Sequence, residues 1–68
     1  MTVIVNGDPV QVDRDATVAG VLDRLGHQRG RGGIAVALNG AVVPRSAWER
    51  TRLAERDRVE VLGATQGG

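Results

Sequence analysis

The stretch "TVIVNGDPVQVD" alternates apolar and polar residues, which is the pattern of half-buried β-strands. Val3 and Val5 share one face of a first strand, and Val10 and Val12 alternate with Gln11 and Asp13 in a second strand. Between the two strands, Asn6-Gly7 is a dipeptide that favours a two-residue hairpin turn. The sequence therefore predicts an antiparallel hairpin here.

The next stretch, "DATVAGVLDRLG", has the spacing of an amphipathic helix. Its apolar residues fall at i, i+3, i+4 and i+7: Val18, Val21, Leu22 and Leu25. Thr17 is placed to cap the helix N-terminus through its hydroxyl group, and Gly26 suits the left-handed residue that follows many helices. We therefore predict one helix with a single apolar face.

Three further strands are predicted after the helix, in "IAVAL", "AVV" and "RVEVL". Asn39-Gly40 separates the first two as a second hairpin turn. Pro44 ends the short strand because proline cannot donate a ladder hydrogen bond. The stretch "RSAWERTRL" is predicted to connect this strand to the last one and to hold one helical turn.

The predicted element order is β-β-α-β-β-β, which indicates an α+β domain with a mixed sheet of four to five strands and one helix packed on one face. We expect the first and last strands to lie parallel in the middle of the sheet. The other face then has no helix to cover it. By alternation its apolar residues are Ile4, Ala35, Ala37 and Leu62. Such a patch often docks a partner, although singly exposed apolar residues are also normal.

The 68 residues suffice for one domain, predicted at residues 1–63, with a flexible tail at residues 64–68. Without Cys there is no disulfide, thiolate metal site or catalytic thiol. No apolar run approaches the ~20 residues of a membrane span, so we expect a cytoplasmic protein. The nine basic residues, all Arg, are interleaved with eight acidic residues, so no basic stripe for nucleic acid forms.

Some features suggest chemistry but have simpler explanations. "GRGGIA" spells a dinucleotide-binding pattern, yet it is predicted to follow a helix and open a strand, the reverse of what that mechanism requires. His27 is the only His and has no Cys or second His to complete a metal site. Trp48, the only aromatic residue, is predicted to fill the end of the core; the alternative is an exposed anchor for a partner.

The second half of the chain contains a more specific signal. "ALNGAVVPRSAW", followed by "LAERDRVEVLGATQGG", resembles the sulfur carrier proteins of thiamin biosynthesis, the ThiS family. That family shares the NG-x-x-VPR-x-x-W spelling, an acidic turn before the last strand and a terminal Gly-Gly. The resemblance covers essentially the whole chain and implies the ubiquitin-like β-grasp fold. "ERD" at residues 55–57 departs from the D-G-D turn frequent in the family, which leaves the local turn type open.

The resemblance implies that the protein is not an enzyme but a cosubstrate whose functional group is the carboxyl group of Gly68. A ThiF-like adenylyltransferase would activate this group with ATP and Mg²⁺, so the chain itself binds no cofactor. With a cysteine desulfurase upstream, the product would be a thiocarboxylate, and a ThiG-like thiazole synthase would take the sulfur. No nucleic acid or membrane partner is implied, and we expect the free protein to be a monomer.

The composition of the tail fits this role. Gly67 and Gly68 lack Cβ, so the end is thin enough for a narrow channel. From Gly63 onward the tail can reach at most roughly 20 Å. The residues that a partner would recognise beside the functional group are Ala64, Thr65, Gln66 and Gly67. They offer little apolar area to offset ordering entropy, so we expect residues 64–68 to be mobile until a partner binds them.

The residues alone leave three other classes of protein open. A molybdopterin-synthase small subunit shares the fold, the Gly-Gly end and the thiocarboxylate, but the V-P-R-x-x-W stretch favours thiamin. A ubiquitin-like modifier would be joined to lysines of its targets, while this chain itself has no Lys. A nucleic-acid-binding β-grasp module would need no free Gly-Gly terminus and would show salt-dependent affinity for RNA.

Overall fold

The structure, a computed structural model, describes residues 1–26 and 33–63. The elements follow the predicted order: β1 Thr2–Val5, β2 Asp8–Gln11, α1 Val18–Arg24, β3 Ile34–Leu38, β4 Ala41–Val43 and β5 Arg58–Gly63. The predicted helical turn between β4 and β5 is a 3₁₀ helix at Arg45–Ala47. The predicted loop after α1, with His27, and the predicted tail at residues 64–68 fall outside the described residues, apart from Gly33.

The strands form one mixed sheet in the order β2-β1-β5-β3-β4. β1 and β5 pair in parallel, while the other neighbouring strands pair antiparallel. The prediction that the first and last strands lie side by side is therefore confirmed. β5 is the middle strand of the sheet, with β1 on one side and β3 on the other.

Both Asn-Gly pairs form the predicted hairpin turns. Asn6 and Gly7 have φ angles of 49° and 88°, and Asn39 and Gly40 have φ angles of 51° and 89°. The flanking residues pair directly across each turn, so each loop contains two residues. Two successive positive φ angles match the tight turn whose twist suits a hairpin, and Asn and Gly tolerate this region best.

The N-terminus of α1 is tied to the segment after β4. Thr17 caps the helix through its hydroxyl group, as predicted. The N–H of Val18 donates to the carbonyl of Thr51, and the N–H of Ala19 donates to the carbonyl of Trp48, each at 3.0 Å. The first N–H groups of a helix have no partner within it, so these long-range acceptors close the helix end.

The core lies between α1 and one face of the sheet. Its buried residues are Val3, Val5, Val12, Val18, Ala19, Val21, Leu22, Val36, Trp48, Leu53, Val59 and Val61. Trp48 is 2% exposed, and its Nε1 donates to the carbonyl of Val43 at 2.8 Å. The guanidinium group of Arg45 lies 5.7 Å from the ring centre, within cation–π range. Trp48 is therefore a core residue, as predicted, and not an exposed anchor.

The turn before β5 shows how "ERD" fits where the resemblance has D-G-D. Arg56 has a φ angle of 70°, in the left-handed region that glycine adopts without strain. The carboxylate of Asp57 accepts a hydrogen bond from the N–H of Ala54 at 2.7 Å and closes the turn. The open question about the local turn type is therefore answered: the turn keeps a left-handed central residue although that residue is not glycine.

Candidate functional site

The sheet face turned away from α1 contains the predicted apolar patch. The register places all of the predicted outward residues on this face: Ile4, Ala35, Ala37 and Leu62. Leu62 is 65% exposed, and Ile4 and Ala37 are partly buried. The neighbours of Ile4 along β1, Val3 and Val5, are buried on the opposite face. The predicted alternation is thus observed, while a docking role for these residues stays a prediction.

Most of these residues adjoin one another across β3. Leu62 pairs with Ala35, and Ala37 pairs with Val42 on β4. Val42 is 78% exposed, the most exposed large apolar residue of the described chain. We refer to Leu62, Ala35, Ala37 and Val42 as the outer patch. Sequence reasoning missed Val42 because a strand of three apolar residues has no alternation from which to assign a face.

Ile4 does not adjoin the outer patch. It pairs with Arg58 on β5, and Glu60 follows on the same face of that strand, where it pairs with Ala37. Arg58 and Glu60 are both exposed. A positive and a negative side chain on the central strand therefore separate Ile4 from the outer patch.

The asparagines of the two turns hold β5 from opposite sides. The carboxamide of Asn6 accepts from the N–H of Val61 at 2.9 Å and donates to its carbonyl at 3.2 Å. The carboxamide of Asn39 accepts from the N–H of Arg58 at 2.9 Å and donates to the carboxylate of Asp57 at 3.0 Å. Each turn residue thus continues the sheet's hydrogen bonding where its own strand has ended. No local sequence signal distinguishes this role from the turn preference of Asn.

Beyond Val61, β5 continues to Gly63 and pairs with β3 alone among the described strands. Alternate residues of a strand direct their backbone groups to opposite neighbours. The backbone of Gly63 therefore points, like that of Val61, towards the side where β1 has already turned away. The predicted functional residue Gly68 and its neighbours Ala64, Thr65, Gln66 and Gly67 follow this end and lie outside the described residues.

A groove of about 240 Å³ lies on the helix side of the domain, away from the outer patch. Its lining residues are Val12, Asp13, Ala16, Gly20, Val21 and Arg24.

Within residues 1–26 and 33–63, no three His, Asp or Glu side chains are close enough to form a metal site. Nor is any described helix long and apolar enough to cross a membrane. The last residues of β5, Leu62 and Gly63, are both exposed and lie at the outer patch.

Comparison with known proteins identifies the family. The ThiS family model matches residues 3–68. A crystal structure of the thiamine biosynthesis protein ThiS from Geobacter metallireducens has 34% sequence identity and a TM-score of 0.81, with 100% of each chain covered. An NMR structure of a thiamine biosynthesis protein from the same organism has 35% identity and a TM-score of 0.78, covering 100% of this chain and 88% of that one. No curated protein matches the chain. The described residues form a five-stranded mixed sheet with one α-helix in the β-grasp arrangement, and the family match runs over nearly the whole length, so the chain belongs to the ThiS family of sulfur carriers in thiamin biosynthesis.

Proposed function

We propose that the carboxyl group of Gly68 is the sulfur-carrying group and that the protein acts as a cosubstrate of partner enzymes rather than as a catalyst. The observation that carries this proposal is the ThiS family match, which runs through Gly68. The chain has no Cys, so no side-chain thiol can hold transferable sulfur. The carboxyl group at Gly68 is the position left for it.

The proposed chemistry has an activation step and a sulfur-transfer step. A terminal carboxyl group is ionised near neutral pH and is therefore a poor electrophile. A ThiF-like enzyme would bind ATP and Mg²⁺, and the carboxylate oxygen would attack the α-phosphorus and release pyrophosphate. A sulfur nucleophile, a persulfide supplied through a cysteine desulfurase, would then attack the carbonyl carbon. As the persulfide sulfur forms the C–S bond, the C–O bond to AMP breaks and an acyl disulfide results. A thiol reductant would then cleave the S–S bond of this acyl disulfide, being oxidised to a disulfide itself, and leave a thiocarboxylate for a ThiG-like thiazole synthase.

The fold supports this proposal through the position of β5. The strand that leads to Gly68 is the middle strand, and its last apolar side chain, Leu62, belongs to the outer patch. A partner that covers the outer patch would therefore meet the residues after Gly63 directly. The free protein is proposed to be a cytoplasmic monomer, and the outer patch its docking surface for the adenylating enzyme.

The charges on β5 constrain what such a partner presents. Glu60 pairs with Ala37 of the outer patch, so docking would remove its carboxylate from water. A carboxylate is costly to desolvate unless a cation pairs with it. The partner surface is therefore proposed to be apolar with a basic side chain opposite Glu60.

The test of the proposed function is the intact mass of the protein purified from its native host. A fraction of the molecules is expected to be heavier by the difference between one sulfur and one oxygen atom. Fragmentation should place the added mass on Gly68. Incubation with the thiazole synthase and its substrates should return the mass to the unmodified value. An unmodified mass in cells that contain the adenylating enzyme and the desulfurase would contradict the proposal.

Leu62→Glu tests the outer patch. We expect the KM for this protein in ATP–pyrophosphate exchange by the adenylating enzyme to rise about tenfold or more, because a charge would enter an apolar contact. Leu62 is 65% exposed, so the free energy of unfolding should change by only about 0.5 kcal/mol. The matched control is Leu25→Glu, since Leu25 is 39% exposed at the end of α1. Equal KM values for the two variants would rule out docking through Leu62. Ile4→Glu is a poorer probe because Ile4 is partly buried.

A further inference from the structure

Asn6 lies far from Gly63 in sequence but beside the end of β5 in space. Its backbone N–H donates to the carbonyl of Val59 at 2.9 Å, which is the last parallel ladder contact from β1. Its side chain then takes over and binds both backbone groups of Val61, across a separation of 55 residues. The carboxamide therefore makes the two hydrogen bonds to Val61 that a longer β1 would make through its backbone.

The turn itself does not require this side chain. Asn6 has a φ angle of 49°, a conformation that glycine adopts at least as easily. A glycine at position 6 would keep the turn but leave the N–H and carbonyl of Val61 without the carboxamide. The two roles of Asn6, turn residue and clamp on Val61, can thus be separated by one substitution.

From this geometry we propose that Asn6 is a positioning residue for the end of β5, which carries the docking side chain Leu62 and from which the chain continues to Gly68. Strand β3 pairs with Leu62 and Gly63 from one side, and Asn6, by binding both backbone groups of Val61, holds the same end of β5 from the other side. Leu62 belongs to the outer patch, and Gly63 is the start of the segment that leads to Gly68. Asn6 and β3 together therefore fix the orientation of Leu62 relative to Gly63. This inference rests on the proposed function only where it concerns delivery of Gly68.

The direct measurement is amide hydrogen exchange in the free protein. Val61 sits in a non-hydrogen-bonded pair with Val36, so its N–H points away from β3 and towards Asn6. In Asn6→Gly, exchange at Val61 is expected to accelerate about fivefold to tenfold beyond any change in the slowest core amides, since one hydrogen bond is lost. Exchange at Val61 within about twofold of wild type, after that correction, would overturn the proposal.

Asn39→Gly is the matched control. Asn39 has nearly the same φ angle, 51°, and its carboxamide holds the beginning of β5 at Arg58. The two variants therefore remove the same side chain from equivalent turns at opposite ends of one strand. We expect both to lower the thermal midpoint, while only Asn6→Gly accelerates exchange at Val61. Acceleration of the same size in Asn39→Gly would mean that the effect is general loosening of the sheet.

The kinetic readout is ATP–pyrophosphate exchange with the adenylating enzyme. If the end of β5 fluctuates, Leu62 and Gly63 adopt the docking arrangement for only part of the time, which lowers apparent affinity without changing the bound complex. Asn6→Gly should therefore raise the KM for the protein about threefold or more and leave kcat unchanged, whereas Asn39→Gly should do neither. In Asn6→Asp the carboxylate can accept from the N–H of Val61 but cannot donate to its carbonyl, so the KM should lie between those of the wild type and Asn6→Gly. Faster amide hydrogen exchange at Val61 with an unchanged KM would overturn the positioning role. The sulfur-carrier proposal would stand, because it depends on Gly68.

Discussion

Deletion of Gly68 is expected to abolish adenylation of the protein and to leave its fold unchanged. The shortened chain still ends in a carboxylate, but that carboxylate is one residue, about 3.5 Å, short of its former reach. Displacements of about 1 Å from a reacting geometry can lower rates by about 100-fold. The expected result is therefore no measurable ATP–pyrophosphate exchange. The residues of the core lie between Val3 and Val61, so the free energy of unfolding should change by less than about 0.5 kcal/mol.

Two further variants separate the causes of this loss. Gly68→Ala keeps the length of the tail and adds a single methyl group, so it tests whether the partner channel requires a residue without Cβ. One extra Ala after Gly68 keeps both glycines and moves the carboxylate beyond the reacting position. Pyrophosphate exchange that survives the deletion of Gly68 would exclude this carboxyl group as the site of activation. The intact-mass experiment would then also be expected to show no sulfur at this position.

Local patterns were sufficient to predict most of the fold. The spacing of Val18, Val21, Leu22 and Leu25 predicted the helix, and the structure buries the first three. Leu25 is 39% exposed instead, because the helix ends at Arg24 and Leu25 is the residue that caps it. Two Asn-Gly pairs predicted both hairpin turns with the correct loop length. These features are encoded by neighbouring residues, because turn preference and apolar periodicity act over a few positions. The resemblance to the ThiS family agreed with the same order of elements, and the family match confirms it.

The sequence could not reveal contacts between distant segments. Asn6 and Asn39 were fully explained as turn residues, so nothing pointed to their second role as clamps on β5. The carbonyl of Trp48 caps α1 at Ala19, which depends on how the connection after β4 folds back. Such contacts are set by the sheet order and register and have no signature within either segment.

The candidate site was predicted only in part. Alternation placed Leu62 correctly on the outer face, but it did not show that Arg58 and Glu60 divide Ile4 from the outer patch. That division depends on which residues of β1 and β3 lie opposite each position of β5. The chemistry proposed for Gly68 rests on the family resemblance and the absence of Cys, and the structure adds the position of the strand that precedes it.

Trp48→Ala is expected to destabilise the protein more than any substitution on the outer patch. Removing a buried Trp from a core costs about 3–5 kcal/mol, since both transfer free energy and packing are lost. A domain of this size has a total stability of roughly 3–10 kcal/mol at the usual value per residue. The variant should therefore lose about 12 °C or more in thermal midpoint, or fail to fold at room temperature. Because Trp48 is the only Trp, circular dichroism rather than fluorescence must follow the unfolding.

Smaller changes at the same place divide the loss into its parts. Trp48→Phe keeps a ring but removes the Nε1 donor to the carbonyl of Val43, which should cost about 1–3 kcal/mol for an unpaired buried acceptor together with the lost volume. Arg45→Ala removes only the cation over the ring and should cost about 0.5–1 kcal/mol. Val42→Ala, at a residue that is 78% exposed, is the surface control and should change stability by less than about 0.5 kcal/mol. If Trp48→Ala instead has the thermal midpoint of the wild type and loses only pyrophosphate exchange, Trp48 serves as an anchor for a partner and does not stabilise the core.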